Sequence, residues 1–86
     1  MGSRKAEALN DRGTAYAYLQ QYEQAIQDFT AAIEIDPNSS VTYSNRAVAS
    51  KYLKKYDEAL DDYNKAIEMR NNKNDGFLYF SRGVIQ

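Results

Sequence analysis

The sequence predicts an all-α fold: a stacked array of antiparallel helix-turn-helix hairpins, with about five helices in 86 residues. Three observations carry that expectation. The segment Tyr22–Ile35 recurs as Tyr56–Met69, with six of fourteen positions identical and a constant offset, the one that carries Ala25 onto Ala59. Small and aromatic residues keep the same register, Ala25, Phe29 and Ala32 in one copy against Ala59, Tyr63 and Ala66 in the other. Apolar residues in both copies follow helical spacing rather than strand alternation. A period of this length is one helical hairpin, a unit that can bury its apolar face only against a neighbouring copy.

Taken in order, Leu9, Gly13, Tyr16 and Ala17 place a first helix from Arg4 to about Gln20. The polar pair Gln20-Gln21 leaves room for a tight turn, so the second helix, Tyr22–Ile35, must return antiparallel beside the first. Its apolar face is Tyr22, Ala25, Ile26, Phe29, Ala32 and Ile33. Asp36-Pro37-Asn38 stops it. The proline has no N–H to donate, it drives Asp36 towards an extended backbone, and Asn38 is placed to cap the next helix. That third helix runs from about Ser39 to Leu53, with Tyr43, Ala47 and Ser50 at the places of Leu9, Gly13 and Tyr16.

Lys54-Lys55 repeats the tight turn. The fourth helix, Tyr56 to about Arg70, carries Tyr56, Ala59, Leu60, Tyr63, Ala66 and Ile67 on its apolar face. Its acids Asp57, Glu58, Asp61 and Asp62 read as the solvated face rather than a metal site, the early pair favoured by the helix dipole. A polar loop, Asn71–Asp75, then leads to a fifth helix from about Asp75 to Gln86. There Ser81-Arg82-Gly83-Val84 lines up with Asn45-Arg46-Ala47-Val48 after two extra loop residues, an insertion that loops tolerate cheaply. The domain reading is Met1–Ser3 as an expression remnant or disordered N-terminus, repeat one at 4–37, repeat two with its loop at 38–73, and a partial third repeat at 74–86.

Composition narrows the function. A formal net charge of −1 argues against an electrostatic grip on nucleic acid or an anionic membrane. No apolar run reaches the roughly 18 residues of a membrane span, and the N-terminus lacks a signal-peptide core. Cysteine and histidine are both absent, which removes disulfides, thiol chemistry, the usual zinc ligands and the usual general base near neutrality. The expectation is no enzyme, no catalytic residue, no metal and no cofactor, in an intracellular, cytoplasmic setting.

These residues resemble the tetratricopeptide repeat family, whose repeats are antiparallel helix pairs with preferred residues at eight positions. Repeat one supplies Leu9, Gly13, Tyr16, Ala25, Phe29, Ala32 and Pro37, with Arg12 where the family commonly has leucine. Repeat two supplies Tyr43, Ala47, Ala59, Tyr63 and Ala66, with Ser50 for the usual aromatic and Asn71 for the proline. Gln20 and Lys54 stand where the family commonly turns on glycine; a left-handed backbone at either would cost about 1–2 kcal/mol. The resemblance implies a right-handed superhelical array, in effect a solenoid.

It also implies a protein–protein interaction module, a scaffold or adaptor whose concave groove, lined by the first helix of each hairpin, holds a peptide or partner segment. Carried over, the groove positions are Glu7, Asn10, Thr14, Ala17 and Tyr18 in repeat one and Val41, Ser44, Asn45, Val48, Lys51 and Tyr52 in repeat two. Phe77, Phe80, Ser81 and Val84 follow in the partial repeat. Family members that hold the carboxylate tail of heat-shock chaperones converge two Lys, two Asn and one Arg on the ligand, the logic of charge-assisted bonds to two carboxylates. Here those places hold Asn10, Thr14, Asn45, Phe77 and Ser81, of which only Asn45 fits, so that co-chaperone reading ranks below a groove for an apolar or mixed segment. A terminal helix bearing Phe77, Leu78, Phe80, Val84 and Ile85 lacks the polar outer face of a capping helix; the first reading is a piece of a longer array, and the structural alternative is a face that drives homo-oligomerisation or a domain swap.

Overall fold

The doubled segment folds into two hairpins in series. The computed structural model describes residues 3–73 and forms α1 (Ser3–Tyr18), α2 (Tyr22–Ile35), α3 (Ser40–Tyr52) and α4 (Tyr56–Lys73). The expected fifth helix, with Phe77, Leu78, Phe80, Ser81, Val84 and Ile85, lies outside the described residues. α1 packs on α2, α2 on α3 and α3 on α4, and α1 also touches α3. No described helix is long and apolar enough to cross a membrane.

Each hairpin turns the same way. Gln20 (φ 63°) and Lys54 (φ 65°) both adopt the left-handed backbone. Around them the orphan carbonyls at the helix end are met by a Schellman pair: Gln20 N–H donates to Ala17 O (2.9 Å) and Gln21 N–H to Tyr16 O (2.8 Å). Lys54 N–H to Lys51 O (2.9 Å) and Lys55 N–H to Ser50 O (2.8 Å) reproduce the pattern at the equivalent places of the second hairpin. The turn therefore keeps the geometry that favours glycine while using two long side chains, and it bears their strain.

The connection between hairpins differs from expectation in two details. Asp36, ahead of Pro37, leaves the helical region (φ −136°, ψ 88°), and its carboxylate accepts the Asn38 N–H at 3.2 Å. Asn38 is thus bound into the turn, and Ser39 caps α3 instead, its hydroxyl accepting Thr42 N–H at 3.3 Å. The second difference is α4, which continues through Asn71 and Asn72 to Lys73 where a loop was expected. Asparagine at the place of Pro37 still donates a backbone N–H, so nothing forces the helix to stop.

The core forms where the helices cross. Ala25, Phe29 and Ala49 are buried together, with Tyr16, Ala17, Tyr22 and Ile26 packed around them. Gly13 is required by contact: a Cβ there would lie 2.6 Å from Phe29 Cε1. On α4 only part of the expected apolar face is covered. Ala59 and Ala66 are buried, but Tyr56, Leu60 and Ile67 are 60%, 58% and 54% exposed. Their counterparts on α2, namely Tyr22, Ile26 and Ile33, are half-buried. The sequence pattern is the same on both helices; α2 has a following helix, α3, laid on that face, and among the described residues α4 does not.

Candidate functional site

The first helices of the two hairpins, α1 and α3, set several of the expected groove residues around two depressions. At one end an apolar depression of about 150 Å³ is lined by Thr14, Ala17 and Tyr18 of α1, Asn45 and Val48 of α3, and the Phe29 ring beneath. At the other end a depression of about 180 Å³ includes Glu7, Asn10, Val41 and Thr42. Asn10 and Asn45 link α1 to α3: Asn45 Nδ2 donates to Asn10 Oδ1 at 3.1 Å. Thr14 Oγ1 donates to the Asn10 carbonyl one turn back, at 2.9 Å. The α1–α3 strip thus has an apolar end with Tyr18 83% exposed above it, and a band of amides beside it.

Two of the expected residues are engaged elsewhere. The Tyr52 ring stacks on Tyr22 of α2, with centroids 4.8 Å apart and planes 10° from parallel. Lys51 Nζ sits 5.8 Å from the Tyr52 ring centroid, a cation–π contact. The Tyr52 stack ties α3 to α2. Ser44 is half-buried, Val41 is exposed, and Phe77, Phe80, Ser81 and Val84 lie outside the described residues.

Sequence reasoning missed a pair of ion pairs behind the groove. Arg12 grips Asp28 with two bonds, Nε to Oδ2 at 2.7 Å and Nη2 to Oδ1 at 2.9 Å. Arg46 grips Asp62 with the same atoms at the same distances, and its Nη1 also donates to Thr30 Oγ1 of the first hairpin at 3.2 Å. Asp62 is buried, which corrects its assignment to the solvated face of α4; Asp57, Glu58 and Asp61 are exposed. Both guanidinium groups are held above their ordinary pKa, chiefly by the side-chain hydrogen bond to the aspartate. The signal was available, because Arg12 and Arg46, like Asp28 and Asp62, occupy equivalent places in the two repeats. Arginine in place of a core leucine is a lock between the two helices of a hairpin, and each guanidinium leans on an aromatic ring, Tyr16 or Tyr43, at 5.8 and 5.7 Å.

Comparison with known proteins agrees with this geometry. The tetratricopeptide repeat model matches residues 6–39 and 40–73, together most of the chain. The chain belongs to the tetratricopeptide repeat family. A solved structure described as the first TPR of Spaghetti (RPAP3) bound to HSP90 peptide SRMEEVD is similar, with 36% identity and a TM-score of 0.76. The likeness covers 78% of this chain and 53% of that one, so the chain spans about half the length of the structure it matches. Comparison with curated protein sequences finds no match. As a tetratricopeptide repeat protein, the chain has the fold of a protein-interaction module.

Proposed function

We propose that this tetratricopeptide array binds an extended, uncharged or mixed peptide segment along the strip formed by α1 and α3. The observation that carries the reading is the strip's composition: Tyr18, Ala17 and Val48 around an apolar depression, with the Asn10–Asn45 amide pair alongside. An extended peptide needs apolar seats for alternate side chains and amide groups for its backbone, and the strip supplies both. Asn10, Thr14, Asn45, Val48 and Tyr18 are the contact residues; Lys51 and Tyr52, held in the stack on Tyr22, are not among them.

The similar structure holds an acidic heptapeptide. Among the described residues, the clamp places Asn10, Thr14 and Asn45 hold no cation for a carboxylate. Asn10 and Thr14 stand where a clamp has cationic or amide donors, Thr14 gives its proton to the Asn10 carbonyl, and Asn45 Nδ2 donates to Asn10. Titration of the chain with SRMEEVD and with an uncharged peptide of equal length, followed by amide NMR shifts, tests the reading. The expected result is tighter binding of the uncharged peptide, abolished by V48D. Tighter binding of SRMEEVD would overturn it.

A second reading, self-association of two copies through the outer face of α4, is favoured by the exposure of Tyr56, Leu60 and Ile67. Sedimentation equilibrium decides it: a dimer that L60E dissolves supports this reading, and a monomer at every concentration removes it.

A further inference from the structure

The two hairpins are near copies, and one difference between them leaves a cleft. In repeat one, Tyr16 packs against the core beside Arg12, whose guanidinium carbon lies 5.8 Å from its ring centroid. The equivalent positions of repeat two are Ser50 and Arg46. At that place lies a cleft of about 380 Å³, with Ser50 and Arg46 among its walls, closed on the first-hairpin side by Ile26 and Thr30. Its volume falls within the roughly 300–1,000 Å³ of ligand pockets, and it is larger than either depression of the α1–α3 strip.

We infer that this cleft between the hairpins is a second binding site, which takes an aromatic side chain of a partner polypeptide that has a basic residue beside it. The repeat supplies the argument for the ring. What fills the equivalent place in repeat one is Tyr16 next to Arg12; in repeat two Ser50 stands there and Arg46 leans instead on Tyr43 of its own helix, 5.7 Å away, so the place of the Tyr16 ring is left as cleft. Ile26 gives the ring an apolar wall, and Arg46, anchored by Asp62 and Thr30 with Tyr43 on one side, holds a fixed cation beside the incoming ring. The rim supplies the argument for the basic neighbour. Arg46 and Asp62 neutralise each other, which leaves Glu58 and Asp61 against Lys55 and an excess of one negative charge. This site shares no lining residue with the α1–α3 strip, so it stands or falls independently of the groove.

The test uses the full chain and two short capped peptides, acetyl-Gly-Tyr-Lys-Gly-amide and its Tyr-to-Ala counterpart, at millimolar concentration in amide NMR titrations. The tyrosine peptide is expected to shift the amides of Ile26, Ser50 and Glu58 and to leave Asn10 and Val48 in place. The alanine peptide is expected to bind roughly tenfold more weakly, the loss of one buried aromatic contact. S50Y, which restores the residue of repeat one, should raise the thermal midpoint and erase the shifts. E58K, on the exposed rim, should weaken the tyrosine peptide severalfold. Shifts confined to the α1–α3 strip, no shifts at all, equal binding of both peptides, or an S50Y protein that fails to fold would each overturn the assignment.

Discussion

Arg46→Met is the substitution that separates a buried lock from a surface ornament. It removes three hydrogen bonds, two to Asp62 and one to Thr30, the last of which joins the hairpins. The Asp62 side chain is only 10% exposed and would be left charged without its partner, while Arg46 is 23% exposed. Breaking one side of such a buried pair costs about 3 kcal/mol. In a chain of this size each kcal/mol moves the thermal midpoint by about 4–8 °C, so the expected fall is about 12–24 °C. Arg12→Met is the comparison: it strands a carboxylate just as buried, the Asp28 side chain being 8% exposed, and among the described bonds it lacks only the one across to another hairpin, so its loss should be smaller by about 1 kcal/mol. Methionine keeps much of the arginine stem's packing, so the comparison isolates the lost charge and bonds. The assay is thermal unfolding by circular dichroism for both variants and for R46M/D62L. The double variant should recover most of the loss, since it removes the stranded carboxylate as well as its partner. Equal midpoints for R46M and R12M, or a double variant no better than R46M, would refute the reasoning.

Three further outcomes are expected. Q20G and K54G should each raise stability by about 1 kcal/mol in urea unfolding, because glycine removes the left-handed strain seen at φ 63° and 65°; two neutral variants would mean the strain is absent. G13A should lower stability by about 1–2 kcal/mol despite alanine's better helix propensity, since its Cβ would meet Phe29 Cε1 at 2.6 Å; a stabilised protein would show that the Phe29 ring yields freely. A59F, at a 4% exposed crossing of α3 and α4, should cost about 1–3 kcal/mol by overpacking, and an unchanged midpoint would remove Ala59 from the crossing.

What the sequence determined alone was periodic. Two copies of one amphipathic helix at a hairpin's spacing, with Ala25 and Ala59 small and Phe29 and Tyr63 large, admit few arrangements besides stacked hairpins. Pro37 placed one break correctly because proline acts on its own backbone and its neighbour's, a local effect. Helix ends without such a local signal moved: α4 ran on to Lys73, and the cap of α3 fell on Ser39 rather than Asn38. Those depend on which neighbouring group captures an N–H first. Tertiary structure alone decided three things. It buried Asp62 against Arg46: the repeated Arg and Asp places mark a pair in the sequence, but its burial depends on the helix packed alongside and not on spacing within α4. It joined Asn10 to Asn45, which do not occupy equivalent places in the two repeats and so leave no periodic trace. It also drew Tyr52 out of the groove strip to stack on Tyr22, because a ring at the end of α3 reaches the start of α2 only when the hairpins are laid side by side. A repeat fixes which surfaces meet; the contacts that break its symmetry arise only once they have met.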